Sequence, residues 1–354
     1  DFKKLKNFTK KNKLNTTLRL SDLLIKNCIV VLAINAGKNV DEFLKKNIKY
    51  LKRSQILIDL GNNHHDDTIK RFYYLQDNKI NYINPGFSGG VEGAKGKASL
   101  MISCKKSFIK NFSKFFLDIS GNNYRSLKLV GEKIHAGNYV KIIHNSIEYA
   151  IMQSIADYFF ILKKFKNLSS RKILIEIYYL QKKISNFYLL EIAKDIIKKK
   201  NNLENILDAV DDNNTGAWAN QFCMTYKFPA HILHTSVDAR YFSRSKRIFR
   251  SFEKRNKKFE IRNFTKSLIL NIKLAYAQGL GLLDKINIEE KLKINFKNVN
   301  INWHNYSIIR SSILKEISFY TKKNKFNHKL FVKKIFTSKA IKIYLKTLNE
   351  LSNN

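Results

Sequence analysis

Two hydrophobic rhythms divide this chain. In the first third, apolar residues come as short β-branched runs separated by polar, helically spaced stretches. Cys28–Asn35, Gln55–Leu60, Asn81–Pro85 and Leu127–Val130 read as buried strands of a parallel sheet. Between them Asp41–Leu51, Asp66–Leu75 and Lys106–Ile119 carry helical spacing, the last with Phe108, Phe112, Phe115 and Phe116 on its buried side. Alternating strand and helix predict an α/β parallel sheet. After Gly131 only helical periodicity is visible, with no convincing strand pair. Helices are predicted over Tyr139–Phe165, Ser170–Ile184, Leu189–Lys199, Ala217–Tyr226, Ala230–Arg250, Ile261–Leu283, Trp303–Tyr320 and Ser338–Leu351. The expected architecture is an α/β sheet domain over residues 1–135 followed by an all-α helical domain over 136–354.

The stretch Tyr139–Lys164 stands out within that pattern. It is mostly apolar, yet Lys141, His144, Asn145, Glu148 and Met152 fall within an arc of roughly 100° on one helix face. Val140, Ile142, Ile143 and Ile147 shoulder that stripe. A lysine among apolar neighbours can lose its proton easily, and a glutamate there can keep one, so the pair suits proton abstraction and return. The same spacing would also serve an exposed polar strip.

Other candidates are weaker when taken alone. The loop PGFSGGVEGAKG, residues 85–96, has the glycine density of an anion-binding nest and offers Ser88, Gly89 and Gly90, although its spacing is not that of a pyrophosphate loop. A tight turn would use the same glycines. Asn62 closes a strand where open α/β sheets bind ligands. His64, His65, Asp66 and Asp67 invite a metal reading, but adjacent residues do not converge; a helix N-cap by Asp66 or Asp67 is expected instead, and no metal. Arg240 follows a Gly/Trp turn, NTGAW, in a helix fit to present it to a phosphate or carboxylate.

Composition changes the picture little. Over 354 residues the formal net charge is +38, which suggests nucleic acid at first sight. The lysines are spread along almost every segment with Asn and Ile, as an AT-rich codon bias would leave them, and no basic helix or arginine-rich arm concentrates them. No nucleic-acid partner is expected, though small anions would be attracted. Three cysteines without paired spacing fit a reducing, cytoplasmic setting, and no charge-free run is long enough to predict a membrane span.

Together these motifs resemble one family, the decarboxylating 6-phosphogluconate dehydrogenases. The resembling segments are IDLGNNHHDDTIKR, FSGGVEGAKGKASLM, GNYVKIIHNSIEYAIMQSIAD, YLLEIAKDI, NTGAW, SVDARY, AYAQG and IIRSSILKEI, in family order across most of residues 25–320. The resemblance implies a partial Rossmann-type NADP-binding domain, an all-helical catalytic and dimerisation domain, and a homodimer. It implies that Lys141 is the general base toward the C3 hydroxyl of 6-phosphogluconate and Glu148 the acid that protonates C1 of the enediol. Ser88, Gly89, Gly90, His144 and Asn145 would hold the sugar acid, Tyr149 and Arg240 its phosphate. Asn62 would lie between substrate and NADP, and Asn35 on the cofactor side.

Departures from the family pattern are as specific. A strand with a G-x-G-x-x-G turn, an Asn-Arg pair and a C-terminal arginine and histidine are absent. Asn35 and Asn213 stand where the family has lysines. The expectation is a member incomplete at both ends. A non-catalytic remnant serving as a helical dimerisation scaffold is the alternative.

Overall fold

Strand β1 (Ile29–Leu32), β2 (Ile56–Asp59) and β3 (Asn81–Ile83) form a parallel sheet in that order, with Ile29 opposite Ile56 and Ile56 opposite Asn81. The computed structural model describes residues 7, 9–10, 17, 19–26, 28–110, 113–164, 166–199, 209–244 and 264–336. Helices Lys38–Asn47 and His65–Asp77 supply the crossovers that parallel strands require. Val40 and Leu44 from the first and Leu75 from the second close a core over Leu57 and Tyr82. Each strand is shorter than its apolar run. Leu60 N–H donating to Leu32 C=O ends the β1–β2 ladder, and Ala33–Gly37 becomes a loop.

These elements belong to one compact unit, Asp1–Pro85; the second is Gly86–Asn354. The first is a Rossmann-like parallel sheet layer, and the second is largely helical. In the first, a buried polar network shapes the C-terminal ends of the strands. The Asp59 carboxylate accepts from Gly61 N–H (2.9 Å), Asn63 Nδ2 (2.9 Å) and the Tyr82 hydroxyl (3.1 Å). Arg71, from helix His65–Asp77, donates to Asp41 (2.6 Å), Asn63 Oδ1 (2.6 Å) and Gly37 C=O (2.9 Å), tying both loops to one guanidinium. These partners offset part of the cost of burying such groups.

The second unit opens with a small mixed sheet. Strand β4 (Gly86–Ser88) runs antiparallel to β5 (Ser99–Ser103), and β5 runs parallel to β6 (Leu127–Gly131). The antiparallel pair corrects the expectation of purely parallel strands: the glycine-rich segment between them reverses the chain, with φ of 145° at Gly89 and 55° at Gly90. The predicted helix over 106–119 is described as Lys106–Ile109 and Ser113–Ile119, with Phe116 fully buried; Phe112 lies outside the described residues.

One helix of 29 residues, Ala136–Lys164, runs through the core of this unit. It packs on Thr215–Thr225, His231–Arg244 and Phe264–Glu289. Gly279 brings the last of these very close: a Cβ there would lie 2.4 Å from Ile147 Cγ1. The predicted helix Trp303–Tyr320 is two helices, Phe296–His304 and Ile313–Ser318. The break between them spends its backbone groups elsewhere: Ile308 N–H donates to Ser88 Oγ (3.3 Å), and Ile309 C=O accepts from the Tyr276 hydroxyl. A two-residue hairpin, β7 (Thr321–Lys322) with β8 (Lys325–Phe326), corrects the expectation of no strand pair after Gly131; it is too short to show a period. Helix Ser338–Leu351 and the 245–250 and 261–263 ends of two others lie outside the described residues. Among the described residues no helix is long and apolar enough to cross a membrane.

Candidate active site

Helix Ala136–Lys164 carries the polar stripe inward. Lys141 is 7% exposed, His144 0% and Asn145 4%, so this part of the stripe faces protein rather than solvent, and the exposed-strip alternative is set aside. Its C-terminal end is different: Met152 is exposed. Strand β4 lies directly over Lys141. A Cβ on Gly86 would sit 2.8 Å from the lysine's own Cβ, so only glycine allows that approach.

Burial sets the protonation states. It pulls the Lys141 amine down to about 8, against a smaller opposing pull from the Glu148 charge. It pushes the Glu148 carboxyl up, while Lys141 and Arg240 hold it back. Lys141 and Glu148 stand two turns apart on the same face, an amine ready to give up a proton beside a carboxyl ready to hold one. His144, fully enclosed and near Lys141, is held well below the usual imidazole range and is neutral.

A chain of hydrogen bonds runs from β4 through the helix to the Thr215 turn. Ser88 Oγ lies 3.2 Å from His144 Nε2, and His144 Nδ1 lies 3.2 Å from Asn145 Oδ1. Asn145 Nδ2 donates to Thr215 Oγ1 at 3.1 Å. Thr215 Oγ1 donates to Asn213 Oδ1 at 2.6 Å, and the Tyr149 hydroxyl donates to the same oxygen at 2.8 Å. These contacts assign the neutral imidazole its tautomer: Nδ1–H toward the amide oxygen, Nε2 accepting from Ser88. Trp303 meets the ring edge-on with centroids 5.7 Å apart. Arg240 lies with its guanidinium 3.5 Å from the Tyr149 ring centroid and donates to Asp211 C=O at 2.7 Å.

The structure therefore gathers Lys141, Glu148, His144, Asn145, Tyr149, Ser88 and Arg240 around one helix face. Gly89 and Gly90 adjoin Ser88 at the end of β4, both with positive φ. Thr215, Trp303 and the Ile308 amide also belong to this cluster. Thr215 was visible as part of NTGAW and Trp303 as part of a predicted helix; the Ile308 amide comes from a helix break that no periodicity marks.

Asn62 and Asn35 belong to the first unit. Asn62 follows Gly61 at the end of β2 and is half-buried; Asn35 is exposed in the loop after β1. Nearby, Asp66 approaches both His64 Nδ1 (3.4 Å) and His65 Nε2 (3.3 Å), and ligand atoms of the three lie within 4.8 Å of one another. The expected cap by Asp66 or Asp67 gives way to His64 as the residue preceding the helix, with both aspartates inside its first turn.

Comparison with known proteins identifies the family. The family described as 6-phosphogluconate dehydrogenase, C-terminal domain, matches residues 137–352, and the NAD binding domain of 6-phosphogluconate dehydrogenase matches residues 2–131. The decarboxylating 6-phosphogluconate dehydrogenase of Buchnera aphidicola from Acyrthosiphon pisum is 31% identical over 323 residues, covering 86% of this chain and 69% of that protein. The Schizosaccharomyces pombe enzyme is 30% identical over 308 residues, 82% of this chain and 62% of its own length. The solved 6-phosphogluconate dehydrogenase of Plasmodium falciparum superposes with a TM-score of 0.82 at 25% identity, over 98% of this chain and 79% of that one. With family models matching residues 2–131 and 137–352 and a relative 31% identical over 69% of its own length, the chain belongs to the 6-phosphogluconate dehydrogenase family.

Proposed function

We propose that this chain catalyses the NADP-dependent oxidative decarboxylation of 6-phosphogluconate to ribulose 5-phosphate and CO2. The observation that carries the reading is the pairing of buried Lys141 with half-buried Glu148 on one helix face, with an amine near 8 and a carboxyl pushed up. The relatives are named for this reaction, and the Plasmodium falciparum structures include complexes with NADP+ and 6-phosphogluconate.

The first unit suits a dinucleotide. Its parallel strands end in loops held from behind by Arg71 and Asp59, and the space around Gly37 is open at the start of helix Lys38–Asn47. Asn35 and Asn62 are the residues that would hold the cofactor there. When bound, NADP supplies the hydride acceptor for C3 of the sugar acid.

Lys141, neutral as the base, takes the proton of the C3 hydroxyl as C3 is oxidised to a ketone. The protonated amine then polarises that ketone oxygen, so that the carboxylate can leave as CO2 with its electron pair drawn into an enediol. Glu148 returns a proton to C1 of the five-carbon enediol, the carbon that bore the lost carboxylate. Ser88, Gly89, Gly90, His144 and Asn145 orient the sugar acid, and Tyr149 with Arg240 faces the phosphate. Neutral His144 fixes Ser88 and Asn145 without adding a charge that would compete with Lys141. Residues 1–135 serve the cofactor and 136–354 the chemistry and a homodimer contact, for which exposed Phe160 and Ile175 offer apolar surface. The three free thiols suit a reducing, cytoplasmic setting.

The test is NADPH and CO2 formation from 6-phosphogluconate by the full chain, with Lys141→Ala as control. Turnover abolished in the variant supports the assignment. No turnover by the unaltered chain, with tight self-association by light scattering, would instead mark a helical dimerisation scaffold.

A further inference from the structure

The donors around Tyr149 already have an acceptor, and the chain itself supplies it. Asn213 Oδ1 receives the Tyr149 hydroxyl at 2.8 Å and the Thr215 hydroxyl at 2.6 Å, while the Thr215 amide points at it from 3.4 Å. Asn145 Nδ2 donates to Thr215 Oγ1, which leaves the threonine proton free to point at Asn213. Beside them, the Arg240 guanidinium is stacked on the Tyr149 ring and spends one N–H on the Asp211 carbonyl. Two hydroxyls and a backbone amide converge on one oxygen, with a guanidinium stacked on the neighbouring ring, a donor set suited to a tetrahedral oxyanion. Here an amide oxygen and a peptide carbonyl, both neutral, take the place of anion oxygens.

We propose that Asn213 is a specificity-determining residue whose side-chain oxygen stands in for a phosphate oxygen, so that a phosphorylated sugar acid must displace it to reach Tyr149 and Thr215. The inference rests on the reading above that Tyr149 and Arg240 face the phosphate. Asn213 is itself exposed, so its side chain has room to swing out, and it precedes helix Thr215–Thr225 rather than lying within its core. A neutral amide is a weaker acceptor for these hydroxyls than a phosphate, so displacement is possible, but it subtracts from affinity. The consequence is a reduced preference for phosphorylated over unphosphorylated substrate, set at one position.

Calorimetric titration of the full chain with 6-phosphogluconate and with gluconate tests this, comparing the unaltered protein with Asn213→Ala and Asn213→Asp. Removing the acceptor in Asn213→Ala frees both hydroxyls and should tighten 6-phosphogluconate about tenfold relative to gluconate, of the order expected for hydrogen bonds no longer exchanged. Asn213→Asp should weaken 6-phosphogluconate at least about tenfold relative to gluconate, because a carboxylate accepts better from the same hydroxyls and repels phosphate. KM for 6-phosphogluconate should follow these changes more than kcat does. Weaker 6-phosphogluconate binding by Asn213→Ala would overturn the proposal, since the amide would then be a phosphate ligand. Equal shifts for both ligands, or none, would overturn it as well. Binding is read without turnover, so a chain that binds as expected yet releases no CO2 contradicts only the catalytic reading. Unchanged 6-phosphogluconate binding by Tyr149→Phe and Arg240→Met contradicts only the placement of the phosphate.

Discussion

Ser88 and His144, 56 positions apart, meet at 3.2 Å between Oγ and Nε2, and the imidazole has no solvent exposure. Ser88 Oγ also accepts the Ile308 amide at 3.3 Å, so one hydroxyl joins the glycine loop, the long helix and the break after helix Phe296–His304. Because His144 is neutral, its Nε2 needs a donor, and Ser88 is that donor. Ser88→Ala leaves a buried ring nitrogen and an amide without this partner. The expected cost is about 1–3 kcal/mol of stability, measured by urea denaturation, together with a raised KM for the sugar acid. An unchanged midpoint and KM would show that water or another group serves both atoms equally well.

Catalysis should follow the Lys141 proton. With the amine pulled down to about 8, the base is mostly charged at pH 6 and mostly neutral at pH 9. The rate of NADPH formation in a single turnover should therefore rise with pH, reaching half its plateau at about 8. The Glu148 charge raises the Lys141 value, so Glu148→Gln should move this limb to lower pH. A limb that stays at the same pH in Glu148→Gln would separate the two groups electrostatically.

Much of this was legible in the sequence, and the reason is periodicity. The stripe of Lys141, His144, Asn145 and Glu148 repeats at helical spacing within one element, so a single helix assumption places all four groups. The sheet strands β1, β2 and β3 declared themselves as β-branched runs. Strand β5 did not, because Ser99 and Ser103 at its ends leave an apolar run of only Leu100, Met101 and Ile102. Those serines are buried because Asn302 Oδ1 and the Ile134 carbonyl accept their protons, partners 203 and 31 positions away that no local pattern carries. The break between His304 and Ile313 was hidden for the same reason: its backbone groups bond to Ser88 and Tyr276. Tertiary hydrogen bonds outweighed local helical preference there. The role of Asn213 was half visible, as a family lysine replaced; that its oxygen occupies the Tyr149 and Thr215 hydroxyls is a matter of geometry.

The same lysine should weaken the fold that depends on it. Its amine titrates near 8 when folded and at its ordinary value of 10.5 when unfolded. Below 8 both states carry the proton, and the native state bears the full burial penalty. Between 8 and 10.5 the unfolded chain binds more protons, so stability rises with pH across that window. Above it both amines are neutral and the penalty is gone. Lys141→Met should therefore be inactive yet more stable at pH 7, by up to about 3 kcal/mol, with the advantage shrinking as pH climbs from 8 toward 10.5. Denaturant midpoints of the two proteins across that range provide the check; a constant difference would mean that packing, not the buried charge, separates them.

Arg71 offers a test confined to the first unit. Its guanidinium is 3% exposed and sits 3.7 Å from the fully buried Asp59 carboxylate. Burial raises the Asp59 carboxyl, while the Gly61 amide, the Arg71 charge and the Tyr82 and Asn63 hydrogen bonds lower it. Arg71→Met keeps much of the aliphatic packing but removes the cation and three hydrogen bonds, to Asp41, Asn63 and Gly37. Leaving a buried carboxylate without its counter-charge costs about 3–5 kcal/mol. Because the lost bonds also hold the loops after β1 and β2, amides near Gly37 and Asn63 should lose protection from hydrogen exchange, while those of helix Ala136–Lys164 keep theirs. NADP affinity should fall with them, since Asn35 and Asn62 stand on those loops. The result that would sink the idea is a variant with weakened exchange protection in the helical unit and none in the loops, because the guanidinium would then be acting on something other than the strand ends it touches.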